Sequence, residues 1–208
     1  MAIKPPAKQE LTLERTWPYI LTFGGLIGFI AAFILTVEKI ALINNPNYVP
    51  SCNISPLISC GSVMKTGQSA IFSFPNSLMG IAGFAIVTTI GIILITGAWQ
   101  TKIKRWFWLG LQLGTVLGLV LIHWLIYQSI YVIGALCPYC MVVWAVTIPI
   151  FWYTTLRNLR VGVITTPPSL KGVVDFAQRH HGDILMAWFL IIIGLILNHF
   201  WYYWKTLI

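Results

Sequence analysis

Five apolar runs, each long enough to cross a bilayer, leave this chain little choice of fold. They extend from Tyr19 to Ile43, Ser77 to Ala98, Trp106 to Gln128, Leu136 to Leu156 and Ile184 to Trp204. A hydrocarbon core of about 30 Å takes roughly 20 helical residues. Within it every backbone polar group needs a partner, which only helices and closed barrels provide. Barrel strands would alternate with a period of two, whereas these runs are continuous. The expected fold is therefore an all-α integral membrane protein. Composition agrees: 58% of the residues are hydrophobic and 9% charged, and the mean hydropathy of +0.82 lies outside the range of a water-soluble domain. The first run follows a polar leader, residues 1–18, and is too long for a cleavable signal segment.

The basic residues set the topology. Lys4, Lys8 and Arg15 precede the first span, Lys102, Lys104 and Arg105 separate the second from the third, and Arg157, Arg160, Lys171 and Arg179 separate the fourth from the fifth; these are ten of the 13. Lys39, Lys65 and Lys205 fall on or near the other side. The positive-inside rule then puts the N-terminus in the cytoplasm and the C-terminus outside, with the chain in the cytoplasmic (inner) membrane. The net charge of +8 is thus a signature of topology and of contact with anionic lipid. A nucleic-acid partner is not expected, because the basic residues are not gathered on one surface.

With that topology all four cysteines face the outer compartment, where thiols are not kept reduced. Cys52 and Cys60 lie in the loop 44–75 between spans one and two, in "SCNISPLISC", and Cys137 and Cys140 open span four in "CPYC". A zinc site would have to use a seven-residue spacing that is wide for structural zinc, so no metal is expected. Two static disulfides would explain the loop pair but not the second. A C-x-x-C ring is so small that bridging it adds little stability, and such pairs more often exchange electrons. Pro138 suits the first turn of a helix. Cys137 is therefore expected at the helix N-terminus, where the dipole favours a thiolate, with Cys140 one turn deeper beside Met141 and Trp144.

"SCNISPLISCGSV", "FPNSLMG" and "CPYC", in this order, resemble the vitamin K epoxide reductase family in its bacterial form. The resemblance covers roughly Tyr19 to Tyr153. It implies a four-helix catalytic bundle, residues 19–156, that includes the redox loop 44–75. A cytoplasmic connector, 157–183, and a fifth transmembrane helix, 184–208, would follow. Its active-site pair, carried onto Cys137 and Cys140, reduces a quinone (menaquinone or ubiquinone), with Cys140 next to the ring. By the same matching Cys60 exchanges with Cys137, and Cys52 takes electrons from a partner. Thr66 falls near the redox centre, and Asn76 matches an asparagine that hydrogen-bonds a quinone oxygen. Trp144 stands where animal members have a tyrosine, so it can donate to the second oxygen but not accept. Some bacterial members continue into a thioredoxin-like domain, and this chain ends at Ile208. The partner is accordingly expected to be a separate, DsbA-like thioredoxin-fold protein, in a pathway of oxidative protein folding.

Other polar residues have plainer readings. His123 and Gln128 in span three are candidates for the pocket, or a histidine satisfied by a carbonyl. Glu38 and Lys39 read as a charge pair at the interface, and Asn198 and His199 as neighbours of an aromatic belt. A short surface helix is expected from Lys171 to His180. Two rival classes share these features: a DsbB-type oxidase, which carries its C-x-x-C pair in the first outer loop, and a membrane scaffold with inert disulfides.

Overall fold

A computed structural model describes residues 8–70, 74–97 and 104–205; Lys4, Ala98, Lys102 and Ile208 lie outside them. The chain forms eight α-helices among the described residues: α1 (Lys8–Asn44), α2 (Cys60–Met64), α3 (Asn76–Ile95), α4 (Arg105–Tyr127), α5 (Pro138–Arg160), α6 (Lys171–Arg179), α7 (His181–His199) and α8 (Trp201–Lys205). Five stretches are long and apolar enough to span a membrane, namely Arg15–Asn44, Asn76–Ile95, Arg105–Ile133, Pro138–Arg160 and His181–His199. The chain is thus a multi-pass, all-α membrane protein.

Helix α1 starts well inside the polar leader. Its first turns, "KQELTLER", consist mostly of good helix formers. Pro18 lies within it, and Trp17 beside it is buried against Trp108. At the other end the expected fifth run divides. Helix α7 stops at His199, Phe200 is buried in one cluster with Leu57, Ile130 and Leu136, and α8 follows. The surface helix expected between spans four and five is α6, with Val173 and Phe176 exposed on one side.

Helix α1 packs closely on both α3 and α5, and α4 lies on α5. Small residues bring α1 and α3 together, as is common where lipid gives no hydrophobic drive to association. A Cβ added at Gly25 would sit 2.9 Å from the Thr88 backbone nitrogen, and one at Gly91 2.6 Å from that of Thr22. The hydroxyls of Thr22 and Thr88 donate to carbonyls of their own helices, Pro18 O and Phe84 O, at 2.9 and 2.7 Å. The seam is therefore a backbone contact. At one end of the bundle Arg157 stacks on Trp108, 3.8 Å from the ring centroid, and on Trp17. Beside it the fully buried Asn158 donates to Gln112 Oε1 at 3.0 Å, and Gln112 Nε2 donates to Thr155 at 2.9 Å.

Helix α7 is peripheral, with Ile192 its one buried residue. His123 on α4 links to it. Its Nδ1 lies 2.9 Å from Leu119 O, and its Nε2 accepts the Trp188 indole N–H at 3.0 Å.

Gly91→Val should lower the unfolding free energy by about 1–3 kcal/mol, the usual range for overpacking, as read by denaturant titration in detergent. A variant as stable as the parent would refute the backbone seam.

Candidate functional site

The site is built where the loop after α1 meets the start of α5. Cys52 and Cys60 are joined by a disulfide with Cα atoms 5.6 Å apart. Cys60 opens α2, whose N-cap is Ser59: its hydroxyl accepts the Ser62 N–H at 3.1 Å, as short polar N-caps do. Asn53, inside the ring closed by the disulfide, accepts from Gly61 N at 2.9 Å and from Ser59 Oγ at 3.1 Å. The loop is thus wound tightly around Cys60.

Two main-chain bonds join this loop to the segment that leads into α5. Ser59 N donates to Leu136 O at 2.9 Å, and Leu136 N donates to Leu57 O at 2.8 Å, a parallel bridge between Ile58 and Leu136. The bonded residues Ser59 and Leu136 directly precede Cys60 and Cys137, and the two sulfurs are brought to 3.1 Å. Cys137 and Cys140 are free thiols. Leu42, Cys52, Cys60, Met64 and Cys137 form one buried cluster, with Cys60 at 0%, Cys137 at 1% and Cys52 at 6% exposure.

Cys137 is the N-cap of α5 and Pro138 occupies the first turn, as the sequence leads one to expect. The Cys140 thiol, hydrogen-bonded to Cys137, holds the Cys137 thiol below its ordinary value, and the backbone N–H groups of Cys140 and Tyr139 add to this; burial pushes the other way and loses. Cys137 is therefore the sulfur readied as a thiolate, facing the Cys60 end of a disulfide. In thiol–disulfide exchange the thiolate attacks and the other sulfur leaves, so this contact connects the two pairs without further movement of either backbone.

One turn deeper, Cys140 lines a cavity with Val63, Thr66, Gln68, Ser69, Leu125, Ser129, Ile133 and Trp144, enclosing about 310 Å³ of empty space including its open mouth. The hydroxyls on its wall are turned to the backbone. Thr66 donates to Val63 O at 2.7 Å, Ser69 to Met64 O and Thr66 O at 2.8 Å, and Ser129 to Ala135 O at 2.5 Å. The buried Trp144 makes no hydrogen bond among the described residues through its indole N–H. The wall is thus mostly apolar, with a sulfur at one side and an available donor.

Of the residues singled out in the sequence, Cys140, Thr66 and Trp144 share this cavity, while Asn76 stands just behind it and donates through Nδ2 to Gln68 O at 2.7 Å. His123 is held by Leu119 and Trp188 away from the lining. Glu38 and Lys39 do not pair with one another among the described residues. Being adjacent on a helix they point in different directions, and each reaches the loop: Lys39 donates to Met64 O and Ser69 Oγ, Glu38 accepts from Ser51. Gln68, Ser69, Ser129, Ile133 and Leu136 were not foreseen. Ser129 and Ile133 reach the wall from a π-helical turn, Gln128–Ile133, that ends on the left-handed Gly134 (φ 67°). Only the glycine hints at it in the sequence.

The profile of the vitamin K epoxide reductase family matches residues 19–155, well over half of the chain. No curated protein matches it.

The pH dependence of thiolate absorbance, taken as the difference between the parent and Cys137→Ala in the state with a bonded loop pair, should place the Cys137 midpoint below the ordinary thiol value of about 8.5. Cys140→Ala should raise it, leaving less thiolate at a given pH. A midpoint unmoved by that change would refute the assigned cause.

Proposed function

Because the chain belongs to the vitamin K epoxide reductase family, and is thereby a membrane oxidoreductase of the disulfide-generating kind, we propose that it is a quinone-dependent thiol oxidase. It makes disulfides and passes them to a DsbA-like thioredoxin-fold partner outside the cytoplasmic membrane. The observation that carries this reading is the 3.1 Å contact between Cys137 Sγ and Cys60 Sγ, with Cys140 on the wall of an apolar cavity. A loop pair used only as a staple has no need of a buried thiol against one of its sulfurs. The free state of Cys137 and Cys140 likewise favours exchange over an inert scaffold.

The proposed sequence starts from the partner's dithiol: one thiolate attacks Cys52, Cys60 leaves with the electron pair, and the partner's second thiolate then closes on the first and frees Cys52. When Cys137 and Cys140 are bonded to each other, the Cys60 thiolate attacks Cys137 and Cys140 leaves as a thiolate; Cys52 then closes on Cys60 and releases Cys137. The contact described here is the arrangement reached after that step, with the loop pair bonded and Cys137 and Cys140 reduced. Exchange is reversible, so the same arrangement serves both directions. Each transfer runs toward the more oxidising couple, and a two-electron gap of about 30 mV corresponds to roughly 1.4 kcal/mol.

A quinone (menaquinone or ubiquinone) bound in the cavity would supply the final two-electron sink. The residues fit such a group: an apolar wall suits a flat ring, Trp144 offers an indole N–H, Thr66 lies on the wall, and Asn76 supports it through Gln68. On this reading the redox loop 44–75 and the start of span four face the outer compartment, and the connector 157–183 faces the cytoplasm, as the basic residues require.

The deciding experiment is quinone reduction by the purified chain fed with a reduced thioredoxin-fold protein. Turnover is expected, to be abolished in Cys137→Ala and Cys140→Ala. Cys52→Ala should accumulate a Cys60–Cys137 crosslink visible by peptide mapping. A purified chain that moves no electrons to quinone, with the four cysteines intact, would overturn the assignment.

A further inference from the structure

The redox loop is fastened by two unlike kinds of bond. Its Cys60 side is held by the backbone bridge to Leu136, by Asn53, and by Lys39, which donates to Met64 O and Ser69 Oγ. Its Cys52 side, where Tyr48 packs on the cysteine cluster, is hydrogen-bonded to the helices through a single carboxylate. Among the described residues, the hydrogen bonds that tie residues 46–51 to the helices end on Glu38: Ser51 Oγ donates to Oε1 at 2.6 Å, and Ser51 N does so at 3.4 Å. Leu35 and Leu42, which share a helix face with Glu38, pack on the cysteine cluster. The same carboxylate draws on the Tyr48 hydroxyl as a hydrogen-bond acceptor, and with burial and its negative charge this pushes the phenol above the usual tyrosine value.

Glu38 is only 7% exposed, and its second oxygen, Oε2, is buried with no partner at full hydrogen-bonding geometry. A clamp serving stability alone would be expected to satisfy both oxygens, since an unpaired buried acceptor is unfavourable. A clamp with one oxygen unsatisfied is easier to open. It also has something to cover: Cys52 is 6% exposed, so a thiol from outside cannot reach its sulfur while the segment before it is shut. Opening the other side would break the bridge that aligns Cys60 with Cys137.

We infer that Glu38 is a positioning residue that seals Cys52 through Ser51, and that a thiol donor gains Cys52 by opening this latch while the Cys60 side stays docked. The inference rests on the proposed role of Cys52 as the cysteine that meets the donor. Once the latch is open, the donor thiolate bonds to Cys52 Sγ, the Cys52–Cys60 bond breaks, and its electron pair leaves on Cys60. The donor's second thiolate then bonds to the first donor sulfur and releases Cys52. The donor is oxidised to a disulfide, the loop pair is reduced, and the two protons lost by the donor end on the loop thiols.

The test uses the purified full chain with its loop disulfide formed, no quinone, and dithiothreitol as the dithiol probe. The loss of the Cys52–Cys60 bond is followed by quenching with a maleimide and peptide mapping. Ser51→Ala should speed the reduction about tenfold, which corresponds to roughly 1.4 kcal/mol. Glu38→Gln, which keeps an acceptor oxygen but loses the charge, should give a smaller acceleration. In both variants, before any probe is added, Cys137 should stay as resistant to the maleimide as in the parent. A Ser51→Ala rate equal to or below the parent's would overturn the latch. So would an acceleration accompanied by exposure of Cys137, because the loop would then be loosening as a whole. Failure of quinone reduction would overturn the proposed oxidase and leave this result standing, since no quinone takes part.

Discussion

The chemistry of this protein hangs on two main-chain hydrogen bonds. Ser59 to Leu136 and Leu136 to Leu57 join a loop between two membrane helices to the segment that opens a third. Ser59 and Leu136 each directly precede a reactive cysteine, and Leu57 lies one turn before Cys60. Side-chain contacts could bring two sulfurs together, but with the rotamer freedom that long side chains retain. A bridge of backbone atoms has little such freedom. It lies beside fully buried residues, where an unmade N–H or C=O is expensive, so undocking the loop here strands polar groups as well as separating thiols. Alignment of Cys60 with Cys137 and satisfaction of the backbone are one requirement.

The rest of the bundle supports that bridge through close packing. Close contact of α1 with α3 through Gly25 and Gly91 leaves no slack for sliding. The Arg157 stack on Trp17 and Trp108, with Asn158 and Gln112 beneath it, fixes the far ends of α1, α4 and α5 relative to one another. Buried polar networks of this kind specify one arrangement when every member is satisfied. The movable parts are thereby confined to the loop end, where exchange has to occur.

Much of this was legible in the chain. Apolar length gave the five spans, because in lipid the backbone has almost no alternative to a helix. Pro138 and the C-x-x-C spacing placed Cys137 at a helix start, a local matter of missing donors and caps. The spacing of the loop cysteines, set beside a known family, suggested which sulfurs to look at. What could not be read were properties that depend on where helices meet. The π-helical turn that aims Ser129 at the cavity has no side-chain signature apart from Gly134. The division of labour between Glu38 and Lys39 follows from their rotation on α1 relative to a loop 13 to 30 residues away, so two adjacent opposite charges that look like a pair act as separate anchors. Helix α1 continuing back to Lys8 was hidden because polar residues with good helix propensity carry no span signal.

Helix α7 invites a mechanical reading. It is about 28 Å long at the usual rise per residue, close to the thickness of the hydrocarbon layer, and nearly all of it meets lipid. Its moorings are aromatic: Trp188 against His123 and Phe151, and His199 against Tyr131. A span moored this way follows the bilayer more than the bundle. Where the membrane thins or thickens, tilt is taken up first by this outrigger, and the strain reaches α4 through His123 and the middle of α5 through Phe151, at a distance from the cysteine pairs.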